Sequence, residues 1–242
     1  MPNFTVVIPA YNEAKRICGT VERIKKYFDA SGFNNWSLLL VDDGSSDGTE
    51  GLVKSALNEP ARLEVVRHPR NLGKGAAVRT GLLKARGDYI LFLDTDSSTP
   101  IEEFGKFKTL ADEGADIIIG SRRTRGAFIE ERQPFIREFL GKGFTLLSNL
   151  ILGTRYSDFT CGFKCFKKEA ARELCFRQRI VNWSYDSELL FLASRLGYIV
   201  KEVPVRWKND PDSKVRLLRD TVSSFWGLLR VRLNWLTGVY DL

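Results

Sequence analysis

Five short apolar runs alternate with longer helical stretches through the first half of this chain. They are Phe4–Ile8, Ser37–Val41, Leu63–Val66, Tyr89–Leu93 and Asp116–Ile119. A run of four or five such residues, bounded by Gly, Asp or Pro, has no polar face. It reads as a strand buried on both sides, the condition of a parallel sheet covered by helices. Between the runs, Glu13–Ala30 sets Ile17, Val21, Ile24 and Phe28 on one stripe. Asp47–Leu57 opens on a turn cluster in which Asp47 is placed to cap a helix. Gly73–Ala85 and Pro100–Glu113 complete the alternation. The pace of strand and helix predicts an α/β fold, an open and mostly parallel sheet with flanking helices.

The second half is more helical. Phe135–Leu152 reads as an apolar helix, Phe159–Phe166 as a strand, Glu169–Phe176 and Ser184–Leu196 as helices, and Tyr198–Trp207 as a strand. Asp212–Leu236 is one long helical stretch. From Val215 it interleaves Leu, Phe and Trp with Arg216, Arg219, Arg230 and Arg232, a composition that suits a helix lying on a membrane surface or at a dimer contact. We therefore expect one main domain over 1–214 and a C-terminal amphipathic segment over 215–242. A length of 242 residues fits that division. The longest uncharged runs, of which Gly143–Thr154 is one, are short of the ~20 apolar residues that a spanning helix needs. Met1–Asn12 lacks the basic start and apolar centre of a secretory signal. The four cysteines have no scaffold spacing and read as buried thiols in a reducing, cytoplasmic setting. With one histidine, they also make a zinc enzyme a poor fit.

Charge is distributed unevenly. There are 37 Lys and Arg against 30 Asp and Glu, a net +7 that favours anionic partners. Arg62–Arg86 holds seven basic residues and the single acid Glu64. Within it, Arg70-Asn71-Leu72-Gly73-Lys74-Gly75 combines small residues with a helix start, a setting that suits an anion. The lone His68 reads as a packing or hydrogen-bonding residue. No aromatic-and-basic platform for nucleic acid is visible. The acids collect instead at strand ends: Glu13 after the first run, Asp42 and Asp43 after the second, Asp94 and Asp96 after the fourth. Ligands of open α/β sheets bind at that edge. Carboxylates gathered there repel unless a cation offsets them, and hard oxygen donors suit Mg2+ or Mn2+.

These segments carry a resemblance. Val6-Val-Ile-Pro-Ala-Tyr-Asn-Glu13, Val41-Asp-Asp-Gly-Ser-Ser-Asp-Gly-Thr49, Asn71-Leu-Gly-Lys-Gly-Ala76 and Asp94-Thr-Asp96, in that order, are similar to the family 2 inverting glycosyltransferases of the GT-A (Rossmann-like) fold. Asp158-Phe-Thr-Cys-Gly-Phe-Lys164, Trp183-Ser-Tyr-Asp-Ser-Glu188 and Val203-Pro-Val-Arg-Trp-Lys208 resemble the polyprenyl-phosphate branch, and within it the dolichyl-phosphate β-glucosyltransferases.

The resemblance implies a nucleotide-sugar donor, UDP-glucose or GDP-mannose, and a polyprenyl monophosphate acceptor. It implies a donor site of Pro9, Tyr11, Glu13, Asp42, Asp43, Lys74, Asp94, Thr95 and Asp96, with Asp94 and Asp96 on the metal. It gives Arg122 and Arg137 to the acceptor phosphate, and Lys208, Ser213 and Lys214 to a loop that closes over the phosphates. Asp96, Arg122, Arg137 and Lys208 would then carry catalysis. Ser98 stands where the mannosyl relatives carry a Gln metal ligand, which leans toward glucose. A lipid acceptor implies peripheral association with the cytoplasmic face of a membrane, through Val215–Leu236 or Phe135–Leu152. The rival readings are a mannosyltransferase, transfer to a saccharide hydroxyl with Asp186 or Glu188 as base, and a nucleotide- or membrane-binding module without catalysis.

Overall fold

The first apolar run becomes strand β1 (Phe4–Ala10), buried at every residue. It is paired in parallel on both sides, to β2 (Trp36–Asp42) and to β4 (Tyr89–Leu93). The structure is a computed structural model that describes residues 2–211 and 217–240, with side chains from Asp220 onward in the second stretch. Its remaining elements are helices α1 (Ile17–Ser31), α2 (Thr49–Leu57), α3 (Lys74–Lys84), α4 (Phe104–Asp112), α5 (Phe135–Leu152), α6 (Lys168–Arg177), α7 (Tyr185–Arg195) and α8 (Leu217–Leu236). The other strands are β3 (Leu63–Arg67), β5 (Ile117–Ser121), β6 (Phe128–Glu131), β7 (Phe163–Lys167), β8 (Val200–Pro204) and β9 (Arg206–Lys208).

Seven strands form one sheet in the order β3-β2-β1-β4-β7-β5-β8, with β7 antiparallel to both its neighbours. Alternation along each strand sorts side chains to two faces. Val7, Leu39, Val41, Ile90 and Phe92 pack toward α3, α6, α7 and α8. Val6, Ile8, Leu38, Leu40 and Leu91 pack toward α1, α2 and α4. A single domain with a mostly parallel sheet is thus what the alternation requires. The reversed β7 matters for function, because it brings the loop before Phe163 to the same edge as the ends of β1, β2 and β4.

Four boundaries differ from the sequence reading. The stretch from Phe159 starts as a strand only at Phe163, because Asp158 accepts the Thr160 amide and holds a turn. Tyr198–Trp207 divides into β8, in the main sheet, and β9, which pairs with β6 in a separate two-stranded ribbon. The first helix begins at Ile17 and not Glu13, whose backbone is turned to meet Thr49. Finally, α8 is part of the core: Leu228 and Val231 are buried within it, and the helix packs on α5 and α7. The expected division at 214/215 falls outside the described residues. No helix among the described residues is long and apolar enough to cross a membrane.

Candidate active site

The end of β4 supplies the centre of the site. Asp94 follows Leu93, and its amide donates to the Gly162 carbonyl at the head of β7. The chain then turns through Ser97, a non-glycine residue at φ 51°, so that Asp96 is directed back toward Asp94. Such a left-handed residue is costly and persists only where surrounding contacts hold it. Thr20 provides them, donating to the Thr95 carbonyl (2.7 Å) and meeting the Ser97 hydroxyl. Asp96 Oδ1 accepts the Ser98 amide. Burial raises the Asp96 pKa, and the neighbouring Asp94 raises it further. Asp96 is therefore short of positive charge. The all-oxygen donor set of the pair fits a hard divalent cation, whose other positions water and phosphate oxygens would fill. Among the described residues no cluster of three His, Cys, Asp or Glu forms.

Gly162 makes this arrangement possible. A Cβ there would stand 2.0 Å from Asp94 Oδ2, so the carboxylate occupies the space a side chain would need. Lys74 at the start of α3 reaches both Asp94 oxygens, at 2.8 and 2.9 Å. Its ammonium lies over the rings of Phe92 and Trp183. Burial alone would lower its pKa; the field of Asp94 and Asp186 raises it instead.

Two cavities meet at this centre. One, of about 930 Å³, is lined by Pro9, Tyr11, Glu13, Arg16, Asp43, Asn71, Gly73, Lys74 and Thr95. Asp43 organises its wall: it accepts the amides of Leu72 and Gly73 and pairs with His68 at 2.7 Å. Gly44 at φ 80° lets the Arg70–Asn71 backbone approach to where a Cβ would touch at 2.6 Å. Glu13 pairs with Arg16, which in turn meets Asp210 at 2.5 Å. Asp42 departs from the expectation of ligand contact. It is fully buried and does not line this cavity, because Oδ1 is used on the Ser45 amide to hold the turn. His68 is the buried hydrogen-bonding residue the sequence suggested, and its other nitrogen meets Thr80.

The second cavity, of about 250 Å³, lies on the other side of Lys74. Arg122, Arg123, Arg137, Leu140, Phe144, Trp183, Asp186 and Trp207 line it, and Asp94 and Asp96 form part of its floor. Arg122 grips buried Asp158 through two nitrogens, at 2.7 and 2.8 Å, and also donates to Thr160. Burial would raise Asp158, but Arg122 overrides it and holds the carboxyl well below the usual range. The charge of Arg122 is thus largely matched inside the protein. Its neighbour Arg123 was not singled out in the sequence. Among the described residues, its hydrogen bonds go to neutral oxygens, the Thr145 hydroxyl and the Ser157 carbonyl. Burial lowers its pKa, as does the adjacent charge of Arg122. Nothing in a row of two arginines reveals which one an aspartate 36 residues away will take.

Three further expectations are resolved by position. Lys208 does not line either cavity: its ammonium is exposed near Glu131, and its amide donates to the Ser98 carbonyl. It braces the loop after Asp96 through its backbone, because strand alternation turns Trp207 inward and Lys208 outward. Ser213 and Lys214 lie outside the described residues. Glu188 is fully buried and accepts the amides of Arg179 and Ile180 and the hydroxyl of Tyr240. With its oxygens so committed, it positions the 179–183 loop that carries Trp183 and does not face the cavity. Asp186 does face it, 2.7 Å from the buried ammonium of Lys164.

The glycosyl transferase family 2 profile matches residues 5–175. A dolichyl-phosphate beta-glucosyltransferase of Trichomonas vaginalis is 38% identical over 88% of this chain and 66% of its own length. A second protein of that name and organism is 33% identical over 98% of this chain and 75% of its own length. This chain thus spans two thirds to three quarters of those relatives. Among solved structures, the glucosyl-3-phosphoglycerate synthase of Mycobacterium tuberculosis, crystallised with Mn2+, UDP-glucose and phosphoglyceric acid, superimposes with a TM-score of 0.69. It is 21% identical and covers 96% of this chain and 80% of that one. At that identity the likeness establishes the shared fold alone. The profile match over most of the chain, together with the order of motifs that builds the two cavities, makes this chain a member of glycosyl transferase family 2.

Proposed function

We propose that this protein transfers glucose from UDP-glucose to a polyprenyl phosphate of the dolichyl type, with inversion, giving a β-linked lipid phosphosugar. The observation that carries the reading is the pair of cavities meeting at Asp94, Asp96 and Lys74. One is the larger cleft, beside a glycine-rich helix start, and the other is a smaller arginine-bearing pocket in which Leu140, Phe144, Trp183 and Trp207 stand among polar residues. The first suits a nucleotide diphosphate sugar. The second suits a phosphate with a hydrocarbon tail. The names of the relatives support the sugar and the acceptor class.

Asp94 and Asp96 would hold Mg2+ or Mn2+, which when bound neutralises the leaving diphosphate. Tyr11 would offer a face to the base, and Asp43 would hold the Leu72–Gly73 amides in the wall. The acceptor phosphate is already an anion, so an oxygen lone pair attacks the anomeric carbon from the side opposite the leaving diphosphate. The new C–O bond forms as the old one breaks, and no proton has to be removed. A general base is therefore unnecessary, in keeping with the commitment of Glu188 and the pairing of Asp186 with Lys164. Arg123 and Arg137, with the part of Arg122 that Asp158 leaves over, would bind the acceptor phosphate. Holding the two anions in line supplies most of the acceleration.

The acceptor's tail needs an apolar route. α5 exposes Phe135 (81%), Ile136, Phe139, Leu146 and Leu150 (77%), and the adjoining α8 exposes Val222, Trp226 and Leu233. The same α5 lines the smaller cavity with Arg137, Leu140 and Phe144. We read this face as the contact with a membrane surface, the cytoplasmic one where nucleotide sugars are available. Its continuity with the acceptor pocket favours lipid over a second copy of the chain.

The test incubates the protein with UDP-glucose or GDP-mannose, polyprenyl phosphate and Mn2+, and reads the lipid by mass spectrometry. A hexosyl lipid phosphate from UDP-glucose is expected, with Arg123→Gln raising the KM for the lipid about tenfold. Product from GDP-mannose alone would overturn the sugar, and no lipid product from either donor would overturn the acceptor.

A further inference from the structure

Lys74 stands at the junction of the two cavities and lines both. Its backbone is fixed. It follows Gly73, whose amide is held by Asp43, and it opens α3, which packs against β1 and β2. Its ammonium lies over the rings of Phe92 and Trp183, at 5.7 and 5.3 Å from their centres. The ammonium also contacts both oxygens of Asp94. A cation that spans both oxygens of a carboxylate occupies the position from which a metal would be ligated. A positive charge there also repels any divalent ion approaching Asp96.

We propose that Lys74 is the resident counter-cation of Asp94, and that it couples metal binding to nucleotide binding by moving from Asp94 to the donor's diphosphate. The inference rests on the reading of Asp94 and Asp96 as ligands of a divalent cation. Without nucleotide, the metal must displace Lys74 from Asp94 and leave an ammonium beside a new dication. With a diphosphate in the cleft that Lys74 lines, the ammonium has an anionic acceptor to turn to, and Asp94 is released to the metal. Each ligand then strengthens the other, and the coupling is reciprocal. A site built this way keeps Asp94 paired when empty and takes up metal mainly together with its donor.

Mn2+ binding to the native chain and to Lys74→Met, measured calorimetrically with and without UDP, tests this. Met is of similar length and carries no charge. Lys74→Met is expected to bind Mn2+ alone about tenfold more tightly than the native chain, because a competing and repelling cation is gone. UDP should tighten Mn2+ binding by a factor about tenfold smaller in Lys74→Met than in the native chain. Lys74→Arg keeps the cation and should behave like the native chain. Lys74→Gln serves as the neutral variant if the Met protein does not fold, as judged by circular dichroism. Equal or weaker Mn2+ affinity in a folded neutral variant would overturn the proposal while leaving the cation site standing. Failure of the native chain and every variant to bind Mn2+, even with UDP, would overturn the cation site and the proposal together.

Discussion

Gly162 has no side chain because the carboxylate of Asp94 fills that space. Gly162→Ala should therefore keep the fold, since the residue lies in a loop before β7, but drive Asp94 from its place. A displacement of about 1 Å at a reacting centre costs on the order of 100-fold in rate. Steady-state kinetics should show that loss in kcat/KM with Tm nearly unchanged. Asp158 makes the opposite kind of prediction, one about stability. Its folded pKa is depressed by Arg122, so the pair stabilises the protein fully above the unfolded carboxylate pKa of about 4. That contribution is lost only as pH falls through the folded value, below the usual carboxylate range. Asp158→Asn leaves Arg122 buried without its anion and should cost about 3–5 kcal/mol at pH 7 by denaturant titration. The difference between the two proteins should persist to pH 4 and shrink only in stronger acid. Asp94 and Asp96 stood out in the sequence because they follow a buried strand and join two other acidic clusters at strand ends, and the structure places both against the two cavities. The partner of Arg122 did not stand out, since it depends on a turn at 158–160 that only the reversal of β7 brings alongside.

At the scale of elements, the strands of the first half could be read directly, because parallel strands covered on both faces leave an unbroken apolar record. The β6–β9 ribbon left none: Phe128-Ile129-Glu130-Glu131 is short, largely exposed and charged. That omission misplaced Lys208, whose outward direction follows from its pairing with β6. The 179–183 loop was equally hidden, since it is held by Glu188, which in turn is held by Tyr240 from 52 residues away. α5 and α8 carry the clearest prediction at this scale. Replacing Phe135, Phe139 and Leu146 by Ser on the exposed face of α5 should leave Tm within a few degrees, because those side chains are already in water. Binding to liposomes should fall by about tenfold or more, as apolar area is removed from the face proposed to meet a membrane. Undiminished sedimentation with liposomes would remove α5 from that role.

For the whole molecule, one sheet edge gathers the larger cleft, the paired aspartates and the arginine pocket, and two packed helices extend that pocket to an apolar outer face. The net +7 is concentrated locally, on a basic segment that brings Lys74 to the larger cleft and on Arg122, Arg123 and Arg137 at the smaller one. In the proposed reaction a lipid phosphate attacks directly, opposite the leaving group, with no proton removed from the acceptor. The anomeric configuration of the product tests that most directly. Proton NMR of the lipid formed from UDP-glucose and polyprenyl phosphate should show a β-glucosyl phosphate. An α-linked product, or glucose released to water with no sugar on the lipid, would contradict it.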